Sequence, residues 1–393
     1  MAGWKKVKLG DILTAVDYGT AAKSDVTGKY PVLRMGNLEN GYLVWDDLVY
    51  TSSEEEYAKY ELKKGDILFN RTNSRDKVGK TSIYRGERPS IFAGYLIRLK
   101  VNNECDPYYV NYCMNSKRFA EFCKSVRTDA VGQSNINAQV LQTYDFSLPP
   151  LEEQKKIAAT LSVWDSAIEK MEKLIDAKES LLTEYGKELF GRTEEKENEK
   201  WSTIALSNML NEHGDKSTGV EEVFSVSVHK GLVNQIEHLG RSFAAKDTSN
   251  YNRVHYGDIV YTKSPTGDFP LGIVKQSLIK EDVIVSPLYG VFTPKTFELG
   301  AILDFYFSSP INANNYLHPV AQKGAKNTIN ITNKKFLSAK LRLPIDIKEQ
   351  KKIAQFVQTT KKEMAVLQEI LENYKKQKQG LMQKLLTGQW RVK

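Results

Sequence analysis

Cysteine is scarce in this chain, and its few residues cannot build a covalent frame. Cys105, Cys113 and Cys123 are an odd set in one stretch with no Cys-x-x-Cys spacing. That pattern points to reduced thiols and away from a disulfide scaffold or a zinc knuckle. Histidine is equally sparse. His213, His229, His238, His255 and His318 all fall in the second half, without the linear spacing of a metal site. No metal ligands are therefore assigned from the sequence. Long apolar runs are missing too: none approaches the roughly 18 residues that a membrane span needs. The opening Met-Ala-Gly-Trp-Lys-Lys-Val-Lys has no apolar signal-peptide core. These absences predict a cytoplasmic protein with no membrane partner.

Catalytic signatures are weak. Ser74-Arg-Asp-Lys-Val-Gly-Lys-Thr81 ends like a phosphate-binding loop, but a serine stands where the motif's first glycine belongs and no helical pattern follows. Ser147-Leu-Pro-Pro-Leu151 superficially resembles the Pro-Pro of an adenine methyltransferase site; it lacks the polar first residue and the aromatic, and helix entry explains it better. No catalytic residues and no glycine-rich cofactor loop are assigned.

What is present is a repeat. Glu-Gln-Lys-Lys-Ile-Ala occurs at 153–158 and again at 349–354, each time opening a long apolar series. The first runs Ile157, Leu161, Trp164, Ile168, Met171, Ile175, Leu182, Tyr185 and Leu189. The second runs Ile353, Val357, Met364, Leu367, Leu371, Tyr374, Leu381 and Leu385. Steps of four and three give a period near 3.5, the mark of a coiled-coil seam. A single buried helix in a bundle gives a similar stripe. Two matched stripes of opposite charge favour pairing with each other: residues 151–200 carry nine Lys and Arg against 13 Asp and Glu, and residues 346–393 carry 11 against five. Lys178 and Lys378 interrupt the two series and mark an expected weak point. A helix over 151–190 would be about 60 Å long, the length of a spacer.

The intervening parts also repeat. Residues 1–150 and 201–345 each mix strand and helix patterns. Trp201-Ser-Thr-Ile-Ala-Leu echoes Trp4-Lys-Lys-Val-Lys-Leu, and Tyr256-Gly-Asp-Ile-Val-Tyr261 echoes Lys64-Gly-Asp-Ile-Leu-Phe69. Residues 324–330 echo 132–137, and Leu-Pro precedes both long helices. Tyr108 to Lys124 has helical spacing, with Tyr109, Tyr112, Cys113, Phe119 and Phe122. Residues 192–200 form a charged linker without apolar residues. The closing Trp390-Arg-Val-Lys393 echoes Trp4-Lys-Lys-Val and reads as the start of a third copy, which would lie beside the N-terminus if the helices are antiparallel.

In this layout the chain resembles the specificity subunits of Type I restriction–modification enzymes over essentially its whole length. The resemblance rests on the ordered duplication, the Gly-Asp-Ile-Leu and Gly-Asp-Ile-Val strands, and Gly-Leu-Met-Gln-Lys-Leu-Leu-Thr-Gly at 380–388. It implies an α/β (mixed α+β) architecture: target recognition domains at 1–150 and 201–345, spacer helices at 151–191 and 346–388, the linker at 192–200 and a tail at 389–393. The helices would form an antiparallel intramolecular coiled coil with pseudo-two-fold symmetry. It implies a non-catalytic subunit that binds double-stranded DNA, together with two methyltransferase (modification) subunits and restriction/translocase subunits in the full complex. S-adenosylmethionine, ATP and Mg²⁺ would belong to those partners. Two unlike readers at fixed separation imply an asymmetric bipartite site.

Polar residues on loops between apolar strands are the candidate DNA contacts, since Arg and Lys suit guanine edges and phosphates, and Asn and Gln suit adenine. In the first half these are Arg34, Arg71, Asn73, Arg75, Lys77, Arg127, Gln133 and Asn135. In the second they are Lys230, Lys263, Ser264, Thr266, Lys323, Lys326 and Asn327. The competing reading makes them solvated loop or turn residues. Two other functions stay open at this level: a self-contained restriction or methylation enzyme with an unrecognised centre, and a coiled-coil adaptor that reads no DNA.

Overall fold

A computed structural model describes residues 3–130, 132–191, 200–239, 247–323 and 329–392. The chain divides into two compact units. One comprises residues 1–172 and 370–393, the other 173–369. Each unit therefore holds one globular domain, the first half of the long helix that follows it, and the second half of the other long helix.

Both domains are built around a four-stranded antiparallel sheet with the same strand order. In the first unit the order is Leu13–Tyr18, Leu96–Val101, Ile67–Asn70 and Thr81–Ile83; in the second it is Leu210–Glu212, Gly290–Pro294, Ile259–Tyr261 and Val274–Gln276. The repeated Gly-Asp has a local cause. Gly65 and Gly257 take φ of +96° and +93°, a left-handed turn that suits glycine. The next side chain bonds back across the turn, Asp66 Oδ2 accepting from Lys63 N at 2.9 Å and Asp258 Oδ2 from His255 N at 2.7 Å. The strands that follow are wholly buried. Each domain is closed by pairing its first strand with the one before its helix: Lys5–Lys8 with Asp145–Leu148, and Trp201–Ala205 with Lys340–Pro344.

The long helices span Leu151–Phe190 and Ile347–Leu386. Within the hexapeptide, Gln154 and Gln350 are buried, as are Ile157, Ala158, Ile353 and Ala354. Gln154 Nε2 donates to the Pro149 and Glu104 carbonyls, and its Oε1 accepts from Asp106 N. Gln350 Nε2 donates to the Pro344 carbonyl, and its Oε1 accepts from the Thr296 hydroxyl at 2.6 Å. Asp106 and Thr296 are the N-caps of equivalent helices, Pro107–Cys113 and Phe297–Phe307. The hexapeptide thus clamps each helix to the domain that precedes it.

Inside each unit the two helix halves run antiparallel. In the second, Lys178 bonds Glu363 at 2.6 Å, while Tyr185, one heptad on, packs on Phe356, one heptad back. In the first, Ile157 shares a core with Leu385, Asp165 pairs with Lys378, and Glu172 with Lys375. Trp164 meets the Tyr374 ring edge-on. The residues of both apolar series are all buried or half-buried. Lys178 and Lys378, which interrupt the stripes, each meet an acid from the opposing helix instead of leaving a gap.

The Tyr108–Lys124 stretch is two helices, Pro107–Cys113 and Lys117–Val126, because Ser116 caps the second by accepting from Phe119 N. The cysteines are free and buried, and burial pushes the thiols of Cys105, Cys113 and Cys123 up. The tail returns to the start of the first unit. Arg391 donates to Glu153 at 2.5 and 2.8 Å, and Trp4 Nε1 donates to the same carboxylate. No described helix is long and apolar enough to cross a membrane.

Candidate nucleic-acid interface

In the first unit two candidate loops join in one small sheet. Thr72–Asn73 follows the buried Gly-Asp strand directly and pairs with Gln133–Asn135, which pairs in turn with Thr128–Ala130. Asn73 lies opposite Ser134, and Asn135 Nδ2 donates to Thr72 Oγ1 at 3.0 Å. Arg75 and Arg127 both reach Asp129, through Arg75 Nε at 2.9 Å and Arg127 Nε at 3.2 Å. Bonds from the Ser134 hydroxyl and from Arg75 hold the Asp129 carboxyl below its ordinary range. Arg71 lies over the ring of Tyr18, 4.9 Å from its centre. Lys77 and Gln133 are exposed. The sheet thus sets cationic and amide groups side by side on a backbone fixed by strand pairing. Arg34 belongs elsewhere: its guanidinium donates to the Asp47 carbonyl at 2.6 Å, pinning a neighbouring loop.

In the second unit the equivalent loop follows Ile259–Tyr261. Lys263 has φ +58°, and a Cβ on Gly272 would lie 2.8 Å from its backbone nitrogen. Only glycine lets the two backbones approach so closely. Burial pulls the Lys263 ammonium below its ordinary pKa, against an opposing pull from Glu212. Ser264 and Thr266 are exposed, and Thr266 closes a turn by exchanging backbone bonds with Phe269 at 3.1 and 2.9 Å. Lys230 sits in the turn between Phe224–Ser227 and Gly231–Asn234. Its turn and the Gly267–Phe269 stretch line one cleft of about 640 Å³. Lys323 lies on Gln322–Lys323, paired with Ile329–Asn330. Lys326 and Asn327 lie outside the described residues.

Sequence patterns alone miss Tyr18 and Asp129. Tyr18 is 43% exposed yet belongs to the four-stranded sheet; only the fold places Arg71 over it. Asp129 has the wrong sign for a DNA contact, and its role in holding two arginines depends on a pairing between distant segments.

The architecture is that of two like domains, each followed by a long helix, and the comparisons specify the family. The family model for the Type I restriction modification DNA specificity domain matches residues 1–179 and 235–375. A Methanocaldococcus jannaschii protein described as the MjaX type I restriction enzyme specificity subunit is 30% identical, over 99% of this chain and 94% of its own length. The MjaVIII specificity subunit of the same organism is 24% identical over 99% and 93%. The EcoKI specificity subunit of Escherichia coli is 26% identical over 39% of this chain and 34% of its own. Among solved structures, the S subunit of a Type I restriction–modification system from M. genitalium matches 98% of this chain and 96% of its own at TM-score 0.65 and 15% identity. The chain belongs to the Type I restriction–modification DNA specificity family, and is a specificity subunit rather than a catalytic one.

Proposed function

We propose that each unit reads one half of an asymmetric bipartite DNA sequence. One observation carries this reading: the same sheet topology is followed by a polar loop after the same Gly-Asp strand in both units, while the loops differ at Asn73 against Pro265 and Arg75 against Gly267. In the first unit the reading surface is the small sheet bearing Arg71, Asn73, Arg75, Lys77, Arg127, Gln133 and Asn135. In the second it is the loop with Lys263, Ser264 and Thr266, joined by Lys230, Lys323, Lys326 and Asn327. Asn73, Gln133 and Asn135 are assigned to base edges, where amides match adenine; the exposed lysines are assigned to phosphates. Arg34 keeps a structural role.

The free faces of the helices take two modification subunits, which carry S-adenosylmethionine and methylate adenine in the cytoplasm. Restriction/translocase subunits with ATP and Mg²⁺ complete the assembly. The test is selection of bound duplexes from a random pool by the chain with its modification subunits. The expected result is two short specified blocks separated by an unspecified gap. Asn73→Ala with Gln133→Ala should relax one block only. Enrichment of no sequence would reduce the chain to an adaptor.

A further inference from the structure

The second unit contains a cluster that DNA reading does not use. His213 and His255 lie with ring centres 5.3 Å apart, surrounded by three aspartates. Each ring has one nitrogen engaged by a carboxylate: His213 Nε2 lies 2.9 Å from Asp258 Oδ2, and His255 Nδ1 lies 2.8 Å from Asp282 Oδ1. The other two nitrogens face one oxygen. Asp215 Oδ2 is 3.0 Å from His255 Nε2 and 3.7 Å from His213 Nδ1. His213 Nδ1 is buried and has no hydrogen-bond partner.

We infer that His213 Nδ1, His255 Nε2 and the Asp215 carboxylate form a binding site for a divalent transition ion of the zinc class. The chemistry supports it at three points. Imidazole and carboxylate are the ligand types that zinc takes. A ligating histidine usually donates its second ring N–H to a carboxylate, which fixes the tautomer and aims the free lone pair; Asp258 and Asp282 stand where that requires. Three carboxylates around two imidazoles also leave an excess of negative charge, which Arg253, 3.9 Å from Asp282, offsets only in part. Buried Asp258 is further fixed by the Thr293 hydroxyl at 2.7 Å, so His213 is held by a rigid partner.

The first unit provides an internal control. In the first unit Arg98 lies opposite Asp17; in the second the register ends at Glu212 opposite Phe292, and one residue further on His213 takes the position that corresponds to Asp17. Arg98 donates to Asp17 at 2.8 and 3.1 Å and approaches buried Asp66. A permanent cation fills that position, and no metal is needed. In the second unit the register position of Arg98 is held by Val291. His213 and His255 are 42 residues apart in sequence, which is why linear spacing gives no metal signal.

The test is zinc titration of the full chain after chelator treatment, followed by calorimetry and by hydrogen exchange. The expected result is about one zinc ion per chain, with added protection at 210–215 and 255–258 and none at 13–18. Cobalt substitution should give the visible d–d band of a low-coordinate site. His255→Gln should weaken binding by about a hundredfold and Asp282→Asn by about tenfold. Asp215→Asn changes an exposed residue outside the core, so it separates lost binding from lost folding; it too should weaken zinc. Absence of zinc binding by the wild-type chain, or equal binding by His255→Gln and Asp215→Asn, would overturn the site and leave a hydrogen-bonded cluster.

Discussion

The two units solve one problem differently: how to bury the aspartate that follows the turn glycine. In the first, Asp66 meets Arg98, itself braced by Asp17. In the second, Asp258 meets His213, Thr293 and the His255 backbone. The carboxyls respond in opposite directions. Burial pushes Asp66 above its ordinary range. Asp258 is pulled the same way by burial, but His213, the His255 N–H and the Thr293 hydroxyl together hold it below. The same backbone turn thus tolerates different neutralising partners, so a duplicated fold can diverge inside its sheets as well as on its loops.

The largest expected effect comes from removing the arginine. Arg98→Met leaves Asp66 buried beside an uncompensated Asp17 and should cost about 3 kcal/mol, seen as lost exchange protection in the first unit alone. Adding Asp66→Asn should restore most of it. A loss below about 1 kcal/mol, typical of exposed pairs, would show that Arg98 is not the partner that matters. Next are the hexapeptide glutamines. Gln154→Ala and Gln350→Ala strand buried carbonyls and should each cost about 2 kcal/mol in denaturant titrations. Gln154 should cost the more, having three bonds against two.

The helix contacts offer a pH test. Asp304 of the second unit is half-buried and receives Lys361 of the second long helix at 2.7 Å, with Lys275 Nζ 3.8 Å away. Burial alone would raise its pKa, but the two lysines hold it below the ordinary value. A depressed folded-state pKa contributes stability that is complete above the unfolded value and is lost as pH falls through the folded one. Acid unfolding of the second unit should therefore flatten below about pH 4 in Asp304→Asn, and an unchanged acid limb would remove Asp304 from the account. In the first unit the corresponding acid, Asp165, sits on the long helix and is met by the domain's Tyr112 and by Lys378.

Smaller effects belong to the surface. Lys77→Ala should weaken DNA binding uniformly and lower the salt slope by about one; altered base preference instead would make Lys77 a reader. Lys178→Ala, which breaks a part-exposed pair with Glu363, should cost about 0.5 kcal/mol by thermal unfolding.

The sequence discloses the duplication, the two long helices and their apolar stripes, because a 3.5-residue period and a repeated motif are local signals. It does not disclose which helix half packs on which domain. A stripe records that a face is buried, not what covers it. The hexapeptide reads from sequence as a spacer element; its buried glutamine shows that it also docks each helix onto its own domain. The candidate DNA loops are legible as polar segments after buried strands, but the joining of Thr72–Asn73 to Gln133–Asn135 spans about 60 residues and leaves no local trace. Arg34 fits a DNA contact by residue type, and the fold adds what the sequence does not show, a bond from one of its terminal nitrogens to the Asp47 carbonyl.

The central claim, that the two units read separate half-sites, is tested most directly by exchange. Residues 1–150 would be replaced by the corresponding domain of another specificity subunit, and methylated adenines mapped after expression with the modification subunits. The account predicts a site whose first half is new and whose second half and orientation are retained. A change in both halves, or in neither, would contradict it.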